Sequence, residues 1–201
     1  MAFPPPPPGP WTSASSPGYS VYATPLPALE ALEAGNLPLA SSLAEAVSLP
    51  PLPDFLISDA NRGIWRRRLD LVNRDPEQFA WISRLVVYED VGVKKGPGDE
   101  EKGGVIVGRI GFHGKPDERG TVEVGYEISP EHRRKGHAKA AVGIMIEVAR
   151  RAKGVNVLKA SVEPDNLASR KVVEGAGLKK VGRKVHARRG LEDIFEMDVS
   201  Q

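Results

Sequence analysis

The chain has 201 residues, with 28 basic and 26 acidic side chains, a formal charge of +2 and 40% hydrophobic residues. That is the size of one domain plus a tail, apolar enough for a real core. The near balance of charge argues against nucleic acid as a partner. There is no cysteine, which excludes disulfides, thiolate metal sites and a covalent Cys intermediate.

The four histidines (His113, His132, His137 and His186) show no paired metal-ligand spacing, so no metal is expected. The longest apolar run, Ala140 to Val148, contains Glu147 and is too short for a membrane span. The start lacks a basic region followed by an apolar one, so no secretory signal is read. These features, with the absence of cysteine, point to a cytoplasmic or nuclear location.

Residues 1–18 are dominated by Pro, Ser and Gly, with prolines at each position from Pro4 to Pro8. This reads as a disordered or polyproline II tail that a proline-binding domain could take, ahead of a domain at 19–201. A first short strand is expected at 20–24. Two short helices follow at 27–34 and 37–48, separated by Gly35-Asn36, and Pro50-Pro51-Leu52-Pro53 breaks the pattern. A longer helix should run from a Ser58 or Asp59 cap to about Val72, with Ile64, Trp65, Arg68, Leu69 and Val72 on one face. Strands follow at 81–88, 105–112 and 121–128, with polar loops at 93–104 and 115–120. In the last of them Val122, Val124 and Tyr126 alternate with Glu123, Gly125 and Glu127. Next come a helix over 136–152, a buried strand at 155–162 and a helix over 166–176 capped by Asp165 or Asn166. A final hairpin, 178–185 with 194–199, turns around Arg188-Arg189-Gly190.

The chain is organised around Gly125 to Ala138, a strand, a basic turn and the start of an amphipathic helix. A helix start offers free backbone N–H groups and a positive dipole end, and so favours an anion. Arg133, Arg134 and Lys135 add charge there, and the pyrophosphate of a cofactor is the anion expected.

Two blocks carry a resemblance. Arg133-x-x-Gly136-x-Ala138 resembles the Q/R-x-x-G-x-G/A motif of the GCN5-related N-acetyltransferases, the GNAT superfamily. Ser161-Val162-Glu163-Pro164-Asp165-Asn166-Leu167-Ala168-Ser169, followed by Gly177-Leu178, resembles the Asn-x-x-Ser…Gly-Phe block of its ribosomal-protein N-terminal subgroup. The likeness spans roughly 20–200. It implies an α+β fold: a mostly antiparallel sheet of about six to seven strands, one parallel strand–helix–strand crossover, and helices on both faces. It also implies acetyl-CoA as donor and a primary amine, on a small molecule or a protein N-terminus, as acceptor. Backbone amides of Arg134, Lys135, Gly136, His137 and Ala138, after Arg133, would hold the pyrophosphate. Gly136 lets phosphate oxygens approach. The backbone of Ile128 and Ser129 would pair with the pantetheine arm, beside a family-type β-bulge that splays the strand. Asn166 would hydrogen-bond the pantetheine or cap its helix.

An attacking amine must lose a proton, so a general base is sought near the acceptor. Glu123 ranks first, with a sheet-face pairing to Arg109 as the plain alternative. Glu127 ranks second. His113, at a strand end, has a suitable ordinary pKa, but an exposed hairpin position is the simpler reading. Many family members carry a Tyr that protonates the leaving thiolate; Val173 stands at that position, which leaves Ser169 for the task. Transfer without a Cys carrier is direct, in a ternary complex. A non-catalytic acyl-CoA-binding module is the alternative.

Overall fold

The period-two and helical patterns become seven strands and five helices in a computed structural model that describes residues 4–90, 104–187 and 190–200. The strands are β1 (Tyr19–Ala23), β2 (Arg84–Tyr88), β3 (Val105–Phe112), β4 (Thr121–Ile128), β5 (Val157–Val162), β6 (Lys179–His186) and β7 (Gly190–Asp198). The helices are α1 (Leu26–Ala34), α2 (Leu37–Glu45), α3 (Asp59–Arg74), α4 (His137–Arg151) and α5 (Leu167–Gly175). The sheet order is β1-β2-β3-β4-β5-β7-β6, antiparallel throughout except for the β4–β5 pair. This is the mixed architecture with one parallel crossover, through α4, that the element order implied.

Strand alternation divides the core in two. On one face Val86, Val107, Ile110, Phe112, Val122, Val124, Leu158 and Phe195 pack against α4 residues such as Ile144 and Met145, and α5 lies beside α4. On the other face Leu85, Val87 and Ile106 pack against Leu29, Leu32, Leu56 and Trp65 of the α1–α3 layer. Burying each such side chain contributes roughly 1.5–3 kcal/mol. Asn36, Ser58 and Asn166 cap α2, α3 and α5 with their side chains, as residues of these types do at helix starts.

Several boundaries move. Trp81 precedes β2 instead of starting it: a 3-10 turn at Pro76–Ala80 delivers it, and the Trp81 carbonyl accepts from Phe112 N–H at 3.0 Å. The second helix stops at Glu45, and Ser48 enters a left-handed conformation at φ 60°. The last strand starts at Gly190 and not at residue 194, which draws Glu192 and Asp193 into the sheet. The bulge expected in β4 is absent, since β3 and β4 pair without a break from Gly108↔Ile128 to Phe112↔Val124. The register shift lies instead between Val86 and Val87 of β2, opposite Val107.

The stretch set apart as a tail packs on the domain from Trp11 onward. Trp11 is 4% exposed and forms a bridge with Val21. Its indole N–H donates to Pro7 O at 2.7 Å, and the Arg84 guanidinium stacks 3.4 Å from its ring centroid. Burial pulls the Arg84 pKa down to about 10. One large aromatic over a buried cation outweighs the solvating bias of the flanking Pro, Ser and Gly. The 93–104 loop, but for Gly104, and the Arg188-Arg189 turn lie outside the described residues.

Candidate active site

Strands β4 and β5 pair only where they begin, at Thr121↔Val157, Val122↔Leu158 and Glu123↔Lys159. Beyond that point they part. Ser129 N–H donates to Val107 O at 3.0 Å, and Glu123 O accepts from His113 N–H at 2.7 Å. By the alternation of an antiparallel ladder, odd-numbered residues of β4 therefore turn their backbone groups to β3. Val124, Tyr126 and Ile128 turn theirs toward the gap.

A cavity of about 950 Å³ fills this gap and reaches both faces of the sheet. From the α5 side it is lined by Asn166, Ser169 and Val173; from the α3 side by Arg67, Arg68, Arg109 and His113; and along the strands by Gly125, Tyr126 and Ser161. Asn166 Oδ1 accepts from Ser169 N–H at 3.0 Å and caps α5. Tyr126 O–H donates to Ser169 O at 3.3 Å, which ties β4 to α5 across the opening. Val173 is fully buried.

Beyond the end of β4 the chain makes the basic turn. Arg134 has φ 61° and Gly136 φ 88°. Gly136 is the N-cap of α4 and offers no side chain to the first turn. A Cβ built on it would meet nothing within 4 Å, so the protein itself leaves this corner open. Arg133 folds back: its Nε donates to Ile128 O at 3.1 Å, and its guanidinium lies 3.9 Å from Glu127. Lys135 Nζ donates to Glu131 O at 3.1 Å. The His137 side chain points inward, with Nδ1 2.8 Å from the Tyr19 hydroxyl. Burial, then nearby His132 and Lys135, hold the His137 pKa below the usual histidine value. Only the backbone of His137 therefore faces outward at the helix start. Ser129, expected beside Ile128, is fully buried, and its N–H is committed to β3.

The carboxylates separate by partner. Glu127 pairs with Arg109 at 2.9 Å, and Arg109 also donates to Asn61 of α3. Burial lowers the Arg109 pKa, and Glu127 partly restores it. Glu123 is held at both oxygens: Lys159 Nζ is 2.7 Å from one and His113 Nδ1 3.4 Å from the other. Burial would raise the Glu123 pKa, but His113 and Lys159 outweigh it and keep the carboxyl far below its ordinary range. The pairing with Arg109, the plain alternative for Glu123, does not form, because register sets Arg109 opposite Glu127. A carboxylate so strongly stabilised as an anion is a weak base.

The profile of the Acetyltransferase (GNAT) domain family matches residues 58–179. The chain belongs to that family. Among curated relatives, the Uncharacterized N-acetyltransferase YjdG of Bacillus subtilis (strain 168) is 42% identical over 72 residues, 36% of this chain and 43% of that protein. The Uncharacterized N-acetyltransferase YoaA of the same strain is 35% identical over 77 residues, 38% of this chain and 44% of that protein. The chain thus spans less than half the length of these relatives in the match. Two solved structures share the fold. The Microcin C7 self immunity acetyltransferase MccE, in complex with acetyl-CoA and AMP, aligns with TM-score 0.60 and 13% identity over 94% of this chain and 97% of that one. The ribosomal L7/L12 α-N-protein acetyltransferase RimL, in complex with coenzyme A, aligns with TM-score 0.58 and 15% identity over 91% and 95%. These identities speak for the fold alone.

In this GNAT domain, sequence reasoning passed over two kinds of cavity residue. Arg67 and Arg68 were not singled out as site residues, Arg68 being placed only on the Trp65 face of its helix, yet both line the cavity and Arg68 donates to His113 O at 2.8 Å. Glu192 also lines the cavity and is 1% exposed, 3.8 Å from Lys184. Extending the period-two pattern of the last strand back from Phe195 to Gly190 would have placed it on the α3 face. Among the described residues, no helix is long and apolar enough to cross a membrane.

Proposed function

We propose that this domain transfers an acetyl group from acetyl-CoA directly to a primary amine, on a small molecule or a protein N-terminus. One observation carries the reading: the gap between β4 and β5 opens a single cavity to both sheet faces, so a donor and an acceptor can meet from opposite sides. The residues present suit an acyl-CoA. The unpaired backbone edge at Tyr126 and Ile128 suits an extended amide-bearing arm, with the Ile128 N–H the fitting contact because Arg133 already takes its carbonyl. The backbone of Arg134 to Ala138 suits a pyrophosphate, with Gly136 admitting it closely and Arg134 and Lys135 adding charge. Asn166 caps α5 through Oδ1, and its side-chain N–H groups suit the same arm.

Acetyl-CoA when bound supplies the thioester. Ser169, which lines the cavity from the α5 side, is the group we assign to protonate the departing sulfur. Glu127 keeps Arg109 and Arg133 in place. With no cysteine to carry the acetyl group, the kinetics should be sequential. Calorimetric titration with acetyl-CoA and thiol release over an amine panel test this: binding plus intersecting initial-rate plots are expected, and parallel plots would refute direct transfer. A second reading, a non-catalytic acyl-CoA-binding module, is favoured by the fully buried Val173 at the position of the family's proton-donating Tyr. Tight binding with no thiol release on any amine would establish it.

A further inference from the structure

We propose that Tyr19 is a positioning residue for the donor: through the His137 side chain it pins the first turn of α4, where the pyrophosphate would bind. The inference rests on the acetyl-transfer reading and assigns to it a residue outside the cavity.

A helix start without a cap frays, because its first N–H groups have no intrahelical partner. Helix α4 begins in that state, with Gly136 as its N-cap and no side chain bonded to its first turn. What holds it comes from the sheet. His137, its first residue, is 5% exposed, and its Nδ1 lies 2.8 Å from the Tyr19 hydroxyl. Tyr19 opens the edge strand β1 and stands opposite Tyr88 of β2, so the two rings share a face. Their centroids are 4.8 Å apart, and the Tyr88 ring is 5.1 Å from the imidazole. His132, from the basic turn, closes the cluster at 5.9 Å. Burial, then Tyr88, raises the Tyr19 pKa; burial, then His132 and Lys135, lowers that of His137. Both groups are therefore neutral near pH 7, and the bond between them adds no charge to the turn.

This contact is one end of a longer strap. Ser16 Oγ donates to the Ala140 carbonyl at 3.4 Å, Ser15 Oγ donates to Glu147 Oε1 at 3.3 Å, and Ser13 Oγ donates to the same oxygen. His137, Ala140 and Glu147 fall on one stripe of α4, so residues 13–19 run back along the helix to its start. Holding the side chain of the first residue fixes the backbone amides of the first turn, which face outward. A turn released from this hold would spend part of its time outside the binding geometry. Apparent affinity falls with the fraction that remains competent.

The test uses the full chain as wild type, Y19F, H137A and the double variant. Dissociation constants are measured for acetyl-CoA by calorimetry and for S-acetyl-pantetheine, which has the thioester and arm but no pyrophosphate, by NMR titration. Y19F should raise the acetyl-CoA constant about three- to tenfold, the range of one lost hydrogen bond, and leave the other within about twofold. In thiol release it should raise KM for acetyl-CoA with kcat within about twofold. A residue that only supports the fold would weaken both ligands alike. That result, or an unchanged acetyl-CoA affinity, would overturn the proposal. The double variant should bind acetyl-CoA no more weakly than H137A; additive losses would show that Tyr19 does not act through His137 and would overturn it as well. If Y19F fails to fold, H137A decides with the same two ligands: loss for acetyl-CoA alone is expected, and equal loss overturns. If wild type binds neither thioester, the acetyl-transfer reading falls. Nitrogen NMR of the free protein then decides the anchor: the His137 imidazole signals, assigned by their loss in H137A, should move in Y19F, and unmoved signals would overturn it.

Discussion

Gly136 and Glu123 show how differently single residues give up their roles. Gly136 sits in a left-handed conformation with open space where a Cβ would go. Gly136→Ala should therefore cost only about 1–2 kcal/mol of stability, from backbone strain. Its acetyl-CoA dissociation constant should rise at least about tenfold, since the methyl would occupy the phosphate's approach. Denaturant unfolding and calorimetry read the two effects separately, and an unchanged affinity would place the pyrophosphate elsewhere. Glu123 behaves in the opposite way. Its folded pKa is depressed by His113 and Lys159 against its burial, so its contribution to stability is present above the unfolded value of about 4.3 and fades as pH falls below it. Between about pH 5 and 3 the wild type should lose more stability than Glu123→Gln; equal acid sensitivity would mean that the ion pairs contribute nothing net. The place of Gly136 at the turn into α4 was legible in the sequence because its spacing from Arg133 and Ala138 is local. The partners of Glu123 were not, because they depend on which residue of β3 and of β5 falls opposite it.

Elements followed local patterning where the pattern was complete. The strands at 105–112 and 121–128 have the bounds their alternation suggests, and the helices end within a few residues of their caps and breakers. Patterning fell short where a tertiary partner decides. Residues 11–18 look solvated by composition, yet Trp11 joins the core through Val21 and Arg84. Trp11→Ala should cost about 3 kcal/mol, the loss expected for a buried Trp, and leave the Arg84 guanidinium buried without its stacking ring. A stability change under about 0.5 kcal/mol in urea unfolding would show that the segment is only laid on the surface. The last strand was read too short because Glu192 and Asp193 look like turn residues. Asp193 is in fact buried, and Lys180 at 2.6 Å and Arg183 at 2.7 Å compensate its charge.

Across the whole molecule the sheet is two ladders, β1 to β4 and β5-β7-β6, joined by three residue pairs. The remainder of that seam is an unfinished rung pattern: the N–H and C=O of Tyr126 and the N–H of Ile128 have no strand opposite them. A ligand with amides along its length would complete the ladder, acting as a short eighth strand that the chain does not encode. Two readouts follow. Acetyl-CoA at one hundred times its dissociation constant should stabilise the fold by about 2.7 kcal/mol. Hydrogen exchange should slow at Tyr126 and Ile128 while the amides of Glu123 and Glu127, already bound to β3, change little. The domain would then be most completely folded only while it holds its donor, and cellular acyl-CoA supply would set its resistance to unfolding as well as its rate.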